Sequence, residues 1–298
     1  MGGHHHHHHH NSGTNLRTAF FLNLGFTIVE IFGGILTNSV AILSDAVHDL
    51  GDSLSLGMAW FLDKKSKQSA DSKYSFGYAR FSLLGALINC IVLLVGSIFI
   101  INEAIARLYA PEPSDAKGMI LFALLGISVN GYAAYKMSSG KTLNEKVVSW
   151  HLIEDVLGWV AVLIVSIILL FTNAPYLDPA LSILITLFIL FGVFKNLRET
   201  LYVFLQGIPK DINVPEIENQ LLSIDGVDSL HHTHVWSLEG EHHVFTTHAR
   251  LTNIDTFGQI IEIKAKMKEV IKDYHFQHYT IETELDNETC SLCLEHNH

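Results

Sequence analysis

The chain has 298 residues, 49% of them hydrophobic and only 16% charged, with a mean hydropathy of +0.29. That is too apolar for an ordinary soluble enzyme and points to several membrane spans. The net charge of −11 is unevenly placed: residues 208–298 hold 6 Lys+Arg against 16 Asp+Glu, residues 1–207 hold 13 against 14. An acidic C-terminal portion repels nucleic acid and attracts cations, so no nucleic-acid partner is expected. Three cysteines, Cys90, Cys290 and Cys293, make no disulfide framework and suit a reduced, cytosolic C-terminus.

Residues 1–13 contain seven consecutive histidines and read as an expression tag or a His-rich N-terminus, set aside from the fold. Residues 14–207 form the membrane portion. A bilayer core takes roughly 20 apolar residues per helix, and six runs qualify: 16–36, 39–62, 80–106, 116–137, 147–171 and 178–202. The first is long enough to stay in the membrane, so no cleavable signal peptide is expected. Thr37-Asn38, 111–114 and 172–176 break the runs on one side of the bilayer; 63–79 and 138–146 break them on the other. Lys64, Lys65, Lys67, Lys73, Arg80, Lys136, Lys141, Lys146, Lys195 and Arg198 fall on this second side, against Arg107 and Lys117 opposite. The positive-inside rule then places both termini in the cytoplasm and the lipid around the six runs. Asp178-Pro179 reads as the start of the sixth helix, with Asp178 as its cap. Asn23, Glu30, Asn89 and Asn130 suit interhelical hydrogen bonds, worth about 0.6 kcal/mol on average; Glu30 is also a candidate proton relay.

After Gly207-Ile208-Pro209 the pattern becomes that of a small α+β domain, 208–284: helix 215–224, strands 227–237 and 241–251, amphipathic helix 257–273 and strand 276–284. Residues 285–298 read as an irregular tail containing Cys and His.

The chemistry is concentrated in the second and fifth runs. His48 and Asp52 lie four apart in an apolar helix and so share one face. The same spacing returns as His151 and Asp155 in WHLIEDVLGWVAVLI. Ionisable residues at membrane depth face a bundle interior and mark ion paths. Two imidazoles and two carboxylates supply the four ligands of a tetrahedral zinc ion. Asp45 and Asp49 fall off the His48–Asp52 face. A membrane zinc hydrolase using the same ligands, or a metal-sensing receptor without transport, are the competing readings; the spans hold no H-E-x-x-H, and Glu154 stands off the His151–Asp155 face.

With SVAILSDAVHDLGDSLS around the first pair, the chain resembles the cation diffusion facilitator family of divalent-metal/proton antiporters. The resemblance implies a membrane all-α bundle of six transmembrane helices plus a cytoplasmic, metallochaperone-like α-β-β-α-β domain. It also implies His48, Asp52, His151 and Asp155 as transport ligands. In the family, His at the second-helix position accompanies zinc preference and Asp there broader zinc and cadmium transport. Some members bind metal after the second helix through one Asp and two His; DSKYSFGYAR keeps Asp71 but has Tyr74 and Tyr78 at the histidine positions, so that site is expected to be absent. The short, His-free 138–146 resembles bacterial members, which implies an inner (plasma) membrane.

In the acidic domain, a two-residue hairpin turn at Glu239-Gly240 would set His231 across from His248, with Cβ atoms about 5 Å apart; a one-residue slip would bring in His232. His242 and His243 read as a solvated hairpin. The family resemblance implies a regulatory metal site at His231 and His248 with an acid near Glu284; Glu282 shares its face by strand alternation, and Cys290 and Cys293 are thiolate candidates with His296 and His298 nearby. It further implies zinc export in exchange for protons and a homodimer made through the cytoplasmic domain.

Overall fold

The computed structural model describes residues 12–66, 68, 70–138, 143–286, 288 and 290. Two compact units emerge, one of residues 1–65 and 84–198, the other of 66–83 and 199–298.

Six long helices open the chain: α1 (Ser12–Thr37), α2 (Val40–Ser66), α3 (Phe81–Tyr109), α4 (Ala116–Ser138), α5 (Leu143–Phe171) and α6 (Leu177–Phe204). The shortest has 23 residues, which at about 1.5 Å per residue exceeds the thickness of a bilayer core. Five of the six, all but α2, are long and apolar enough to cross a membrane. Asp45, Asp49 and Asp52 account for the exception. The helices are inverted relative to a soluble bundle. Leu36, Phe99, Phe171 and Phe191 are exposed, whereas Glu30, Ser44, Asp49, Asp155 and Asp178 are buried. Lipid is the solvent that makes such an arrangement favourable.

Small residues let the helices approach. Trp159 of α5 lies over Gly126 of α4, where a Cβ would collide with the indole ring. Around them Ala41, Ile42, Met119, Ala123 and Val162 close an apolar core. The α1–α2 corner is only Asn38-Ser39, possible because Asn38 takes the left-handed conformation at φ 52°. Asn38 O accepts from Arg107 (2.7 Å) and Ser114 (3.0 Å), and Asp115 N donates to Thr37 O (2.8 Å), tying the corner to the α3–α4 connection.

The second unit contains α7 (Val214–Leu222), β1 (Val227–Ser237), β2 (His243–Leu251), α8 (Phe257–Lys272) and β3 (His278–Leu285). This is the expected α-β-β-α-β order. The sheet order is β1-β2-β3, antiparallel between β1 and β2 and parallel between β2 and β3. A parallel pair needs a crossover, and α8 supplies it. That helix starts on a capping box, Thr256 with Gln259, and buries Ile263, Met267 and Ile271 at four-residue spacing. They pack with Ile217, Leu221, Phe245 and Leu251 in one core.

The hairpin differs from expectation. The last β1–β2 pair is Ser237 with His243, so the connection runs over 238–242 instead of two residues. Leu238 N closes it onto His242 O at 2.8 Å, with Gly240 at φ 119°. A β-bulge between His231 and His234 then shifts the register by one and restores the expected His231–His248 pair.

Candidate metal centres

The turn that opens α2 is fixed by side chains. Ser39 is the N-cap, its Oγ accepting from Ile42 N at 3.2 Å and donating to Asp178 Oδ1 at 2.5 Å. Asp178 also accepts from Val40 N (2.7 Å) and Ala41 N (3.4 Å). Its carboxylate therefore caps α2, not its own helix as the Asp-Pro pattern suggested. Local capping rules see only the helix a residue begins, and here the orphan N–H groups served belong to a distant turn.

Further down α2, His48 and Asp52 face His151 and Asp155 of α5. Nε2 of His48 is 3.8 Å from Asp52 Oδ2 and 3.7 Å from Asp155 Oδ1; Nε2 of His151 is 2.7 Å from Asp52 Oδ2 and 4.0 Å from Asp155 Oδ2. The two rings stand 5.6 Å apart between centroids. His48, His151 and Asp155 each offer an atom within 4.8 Å of the others. Asp52 joins them through His151, whose Nε2–H donates to it. Donors of a tetrahedral zinc ion with bonds near 2.0–2.1 Å lie about 3.3 Å apart. The four imidazole–carboxylate distances, from 2.7 to 4.0 Å, bracket that spacing, and the residues are reached from two helices by one repeated interval.

In the second unit, Glu284 is the hub. Its carboxylate accepts from His248 Nδ1 at 2.8 Å and from His231 Nε2 at 3.2 Å, and Cys290 Sγ lies 3.8 Å from His248 Nδ1. Donor atoms of His231, His248, Glu284 and Cys290 fall within 4.8 Å of one another. Glu282 approaches the opposite nitrogen, His248 Nε2, at 3.5 Å. Parallel pairing explains this: His248 sits level with Glu282, and Glu284 is the next residue on that face. Burial pushes the Glu284 carboxyl up, but hydrogen bonds from His248, Cys290 and His231 outweigh it and hold the group below the usual carboxylate range. One nitrogen, one further nitrogen, a carboxylate and a sulfur fit the zinc donor set. Cys293, His296 and His298 lie outside the described residues.

The bulge also brings His232 in, its ring 5.3 Å from those of both His231 and His248. His243 is not solvated: it is buried, with Nε2 3.3 Å from Asp211 Oδ2. His242 instead pairs with Glu239. In the α2–α3 connection, Asp71 Oδ1 accepts from Lys73 N and Tyr74 N at 2.8 and 2.9 Å, and Oδ2 from Tyr78 OH at 2.7 Å. That bond to Asp71 raises the Tyr78 phenol above its ordinary value. The loop is folded on its own aspartate.

A family profile described as the cation efflux transmembrane domain matches residues 16–205. The metal cation efflux system protein CzcD of Cupriavidus metallidurans is 35% identical over 286 residues, 95% of this chain and 90% of the relative. A cadmium, cobalt and zinc/H(+)-K(+) antiporter of Bacillus velezensis is 32% identical over 90% of this chain and 87% of its own. The zinc transporter ZitB of Escherichia coli is 31% identical over 91% and 86%. With the profile covering most of the chain and full-length relatives above 30%, the protein belongs to the cation efflux, or cation diffusion facilitator, family.

Proposed function

We propose that the protein is a divalent-cation/proton antiporter that exports zinc from the cytoplasm by alternating access, and that it is not an enzyme. The ion is held at mid-membrane by His48, Asp52, His151 and Asp155. All six helices span the inner (plasma) membrane, α2 included because its acids face the bundle, and both termini are cytoplasmic. The observation that carries the reading is the convergence of both histidine Nε2 atoms on Asp52 and Asp155. His151 Nε2 can hold a proton shared with Asp52 or a metal ion, but not both. Loading the ion therefore expels a proton, and a proton arriving from the other side favours release. Relatives named for zinc, cadmium and cobalt transport, one of them for exchange against H(+) and K(+), support the same reading.

The His231, His248, Glu284 and Cys290 cluster, with Glu282 behind it, is proposed to bind zinc as a regulator. A sulfur ligand and a nearly buried carboxylate suit retention, whereas the membrane centre must let its ion go. Loaded with zinc, this domain is proposed to tighten a homodimer.

Purified protein in sealed vesicles tests the proposal. Zinc uptake into vesicles with an acidic lumen should alkalinise that lumen as protons leave in exchange, and Asp52→Ala and Asp155→Ala should each abolish it while eluting as folded protein. Normal flux through either variant would refute the ligand assignment; hydrolysis without flux would replace transport by catalysis.

A further inference from the structure

The C-terminal domain is acidic, yet most of its positive charge is gathered on one helix. Of the six Lys and Arg in residues 208–298, Lys264, Lys266, Lys268 and Lys272 belong to α8. Lys266 pairs with Glu262 at 2.8 Å and Lys272 with Glu269 at 3.2 Å. Among the described residues, Lys264 and Lys268 form no ion pair. At 3.6 residues per turn, Phe257, Ile261, Lys264, Lys268 and Lys272 fall within an arc of about 80° along one flank of the helix. Glu262 and Glu269 stand outside that arc, and the buried row of Ile263, Met267 and Ile271 lies beside it. All five side chains are exposed, Phe257 by 75% and Ile261 by 56%. The capping box of Thr256 and Gln259 fixes the first turn, so a formed helix holds Phe257 outward.

Large apolar groups in one row with lysines suit a surface that is anionic outside and apolar beneath. Ring and aliphatic chain enter the acyl boundary while the ammonium groups meet phosphate. The chain keeps such a surface within reach. α6 ends at Phe204 and α7 begins at Val214. The residues between them span at most about 30 Å when fully extended. The leaflet in which α6 ends is therefore always near the domain, at high effective concentration. With 6 basic against 16 acidic residues, the rest of the domain is repelled by anionic lipid, which leaves the α8 flank as the side drawn to it. An acidic partner protein would satisfy the lysines too; the short tether favours lipid. By strand alternation, His248 points away from the sheet face of Phe245 and Ala249 on which α8 packs, so docking by α8 leaves the metal cluster uncovered.

We propose that the Phe257, Ile261, Lys264, Lys268 and Lys272 flank of α8 docks on anionic lipid of the leaflet in which α6 ends. The inference rests on α6 spanning the bilayer and is independent of the ion carried.

The experiment uses the full chain, one copy per lipid nanodisc, in phosphatidylcholine alone or mixed with phosphatidylglycerol. Both leaflets of a disc are alike, so the side on which the domain lies does not affect the outcome, and no ion flux enters the readout. Phe257→Trp supplies a reporter, read as the difference from the unmodified protein with its four tryptophans. With phosphatidylglycerol present, the added emission should be shielded from aqueous iodide and roughly halved by lipids brominated in the acyl chain. In phosphatidylcholine alone, or at high salt, it should stay open to iodide. Adding Lys264→Glu and Lys268→Glu should abolish the bromine quenching with the melting temperature kept, both lysines being exposed. Ile261→Trp carries the reporter if Phe257→Trp does not fold. Added emission open to iodide in both lipids would overturn the proposal. Shielding without bromine quenching would put protein on this flank and overturn it as well. So would quenching that is equal in the two lipids or that survives the charge reversals. The native emission must itself fall with brominated lipid, since Trp150 of α5 is exposed. If it does not, the membrane spans fail and the docking with them, a result distinct from loss of the added signal alone.

Discussion

Replacing Asp178 should loosen the membrane unit at the head of α2. Its carboxylate is completely buried and takes hydrogen bonds from Ser39 Oγ at 2.5 Å, Val40 N at 2.7 Å and Ala41 N at 3.4 Å. Asp178→Ala leaves the two donors with short bonds unsatisfied in a place without solvent. At about 1–3 kcal/mol for each orphaned donor, the loss is about 2–6 kcal/mol. Removing a negative charge from a helix N-terminus adds about 0.3–1 kcal/mol. Asp178→Asn keeps one acceptor oxygen and should fall between. For a unit of roughly 150–250 residues, 1 kcal/mol corresponds to about 2–4 °C, so the combined loss should lower the alanine variant by on the order of 5–28 °C. Thermal loss of the monodisperse chromatographic peak in detergent measures this. Because Ser39 shares the bond, Ser39→Ala with Asp178→Ala should cost less than the two single losses added. An alanine variant as heat-stable as the unmodified protein, or asparagine falling below alanine, would refute the capping argument.

Other changes follow from the same geometry. His48→Asp sets at this position the residue that in the family accompanies broader zinc and cadmium transport, and should widen acceptance towards cadmium, read as the ratio of cadmium to zinc flux in vesicles; an unchanged ratio counts against His48 as the selective ligand. Cys290→Ser in an Asp52→Ala background should weaken zinc binding at least tenfold in a chelator-competition titration, since a hydroxyl is a poor zinc ligand beside a thiolate. Gly126→Val drives a side chain into the Trp159 ring and should cost about 1–3 kcal/mol. Gly131→Ala, with only Val156 Cγ2 near at 3.9 Å, is the control and should gain up to about 1 kcal/mol of helix propensity, both read by the same melting assay.

The proposed transport ligands were legible in the sequence because each pair lies on one helix. An interval of four in an apolar run fixes a common face without knowledge of any partner. The same locality hid Asp178. Its place at the start of α6 was plain, but the turn it caps begins at Ser39, and no pattern within α6 names that partner. Glu30 was visible as an acid inside a span, and interhelical hydrogen bonding was the plain expectation for it. The structure buries it, and among the described residues neither of its oxygens finds a hydrogen-bond partner. His243 was read as solvated because it stands near the turn. In the structure it is the last paired residue of the ladder and is buried, with Asp211 beside its Nε2.

The cytoplasmic cluster shows why alternation alone cannot reach such a site. Counting from a two-residue turn pairs His231 with His248, and the pair is observed, yet the ladder near the turn runs one residue out of that register: Ser237 faces His243 and His234 faces Thr246. Carried on without interruption, that ladder would set His232, not His231, against His248. The bulge between His231 and His234 puts two β1 residues against one of β2, and His232 takes φ 50° within it. Adjacent histidines conceal the extra residue, since either order of pairing looks the same in the pattern. What the bulge achieves is geometric. It turns His231 onto the face where Glu284 and His248 already stand, while the His232 ring stays 5.3 Å from those of His231 and His248. Without the bulge the near-turn register would set His232 opposite His248; with it, His231 takes that place and donates to Glu284. The departure from strand geometry therefore decides which β1 imidazole joins His248, Glu284 and Cys290.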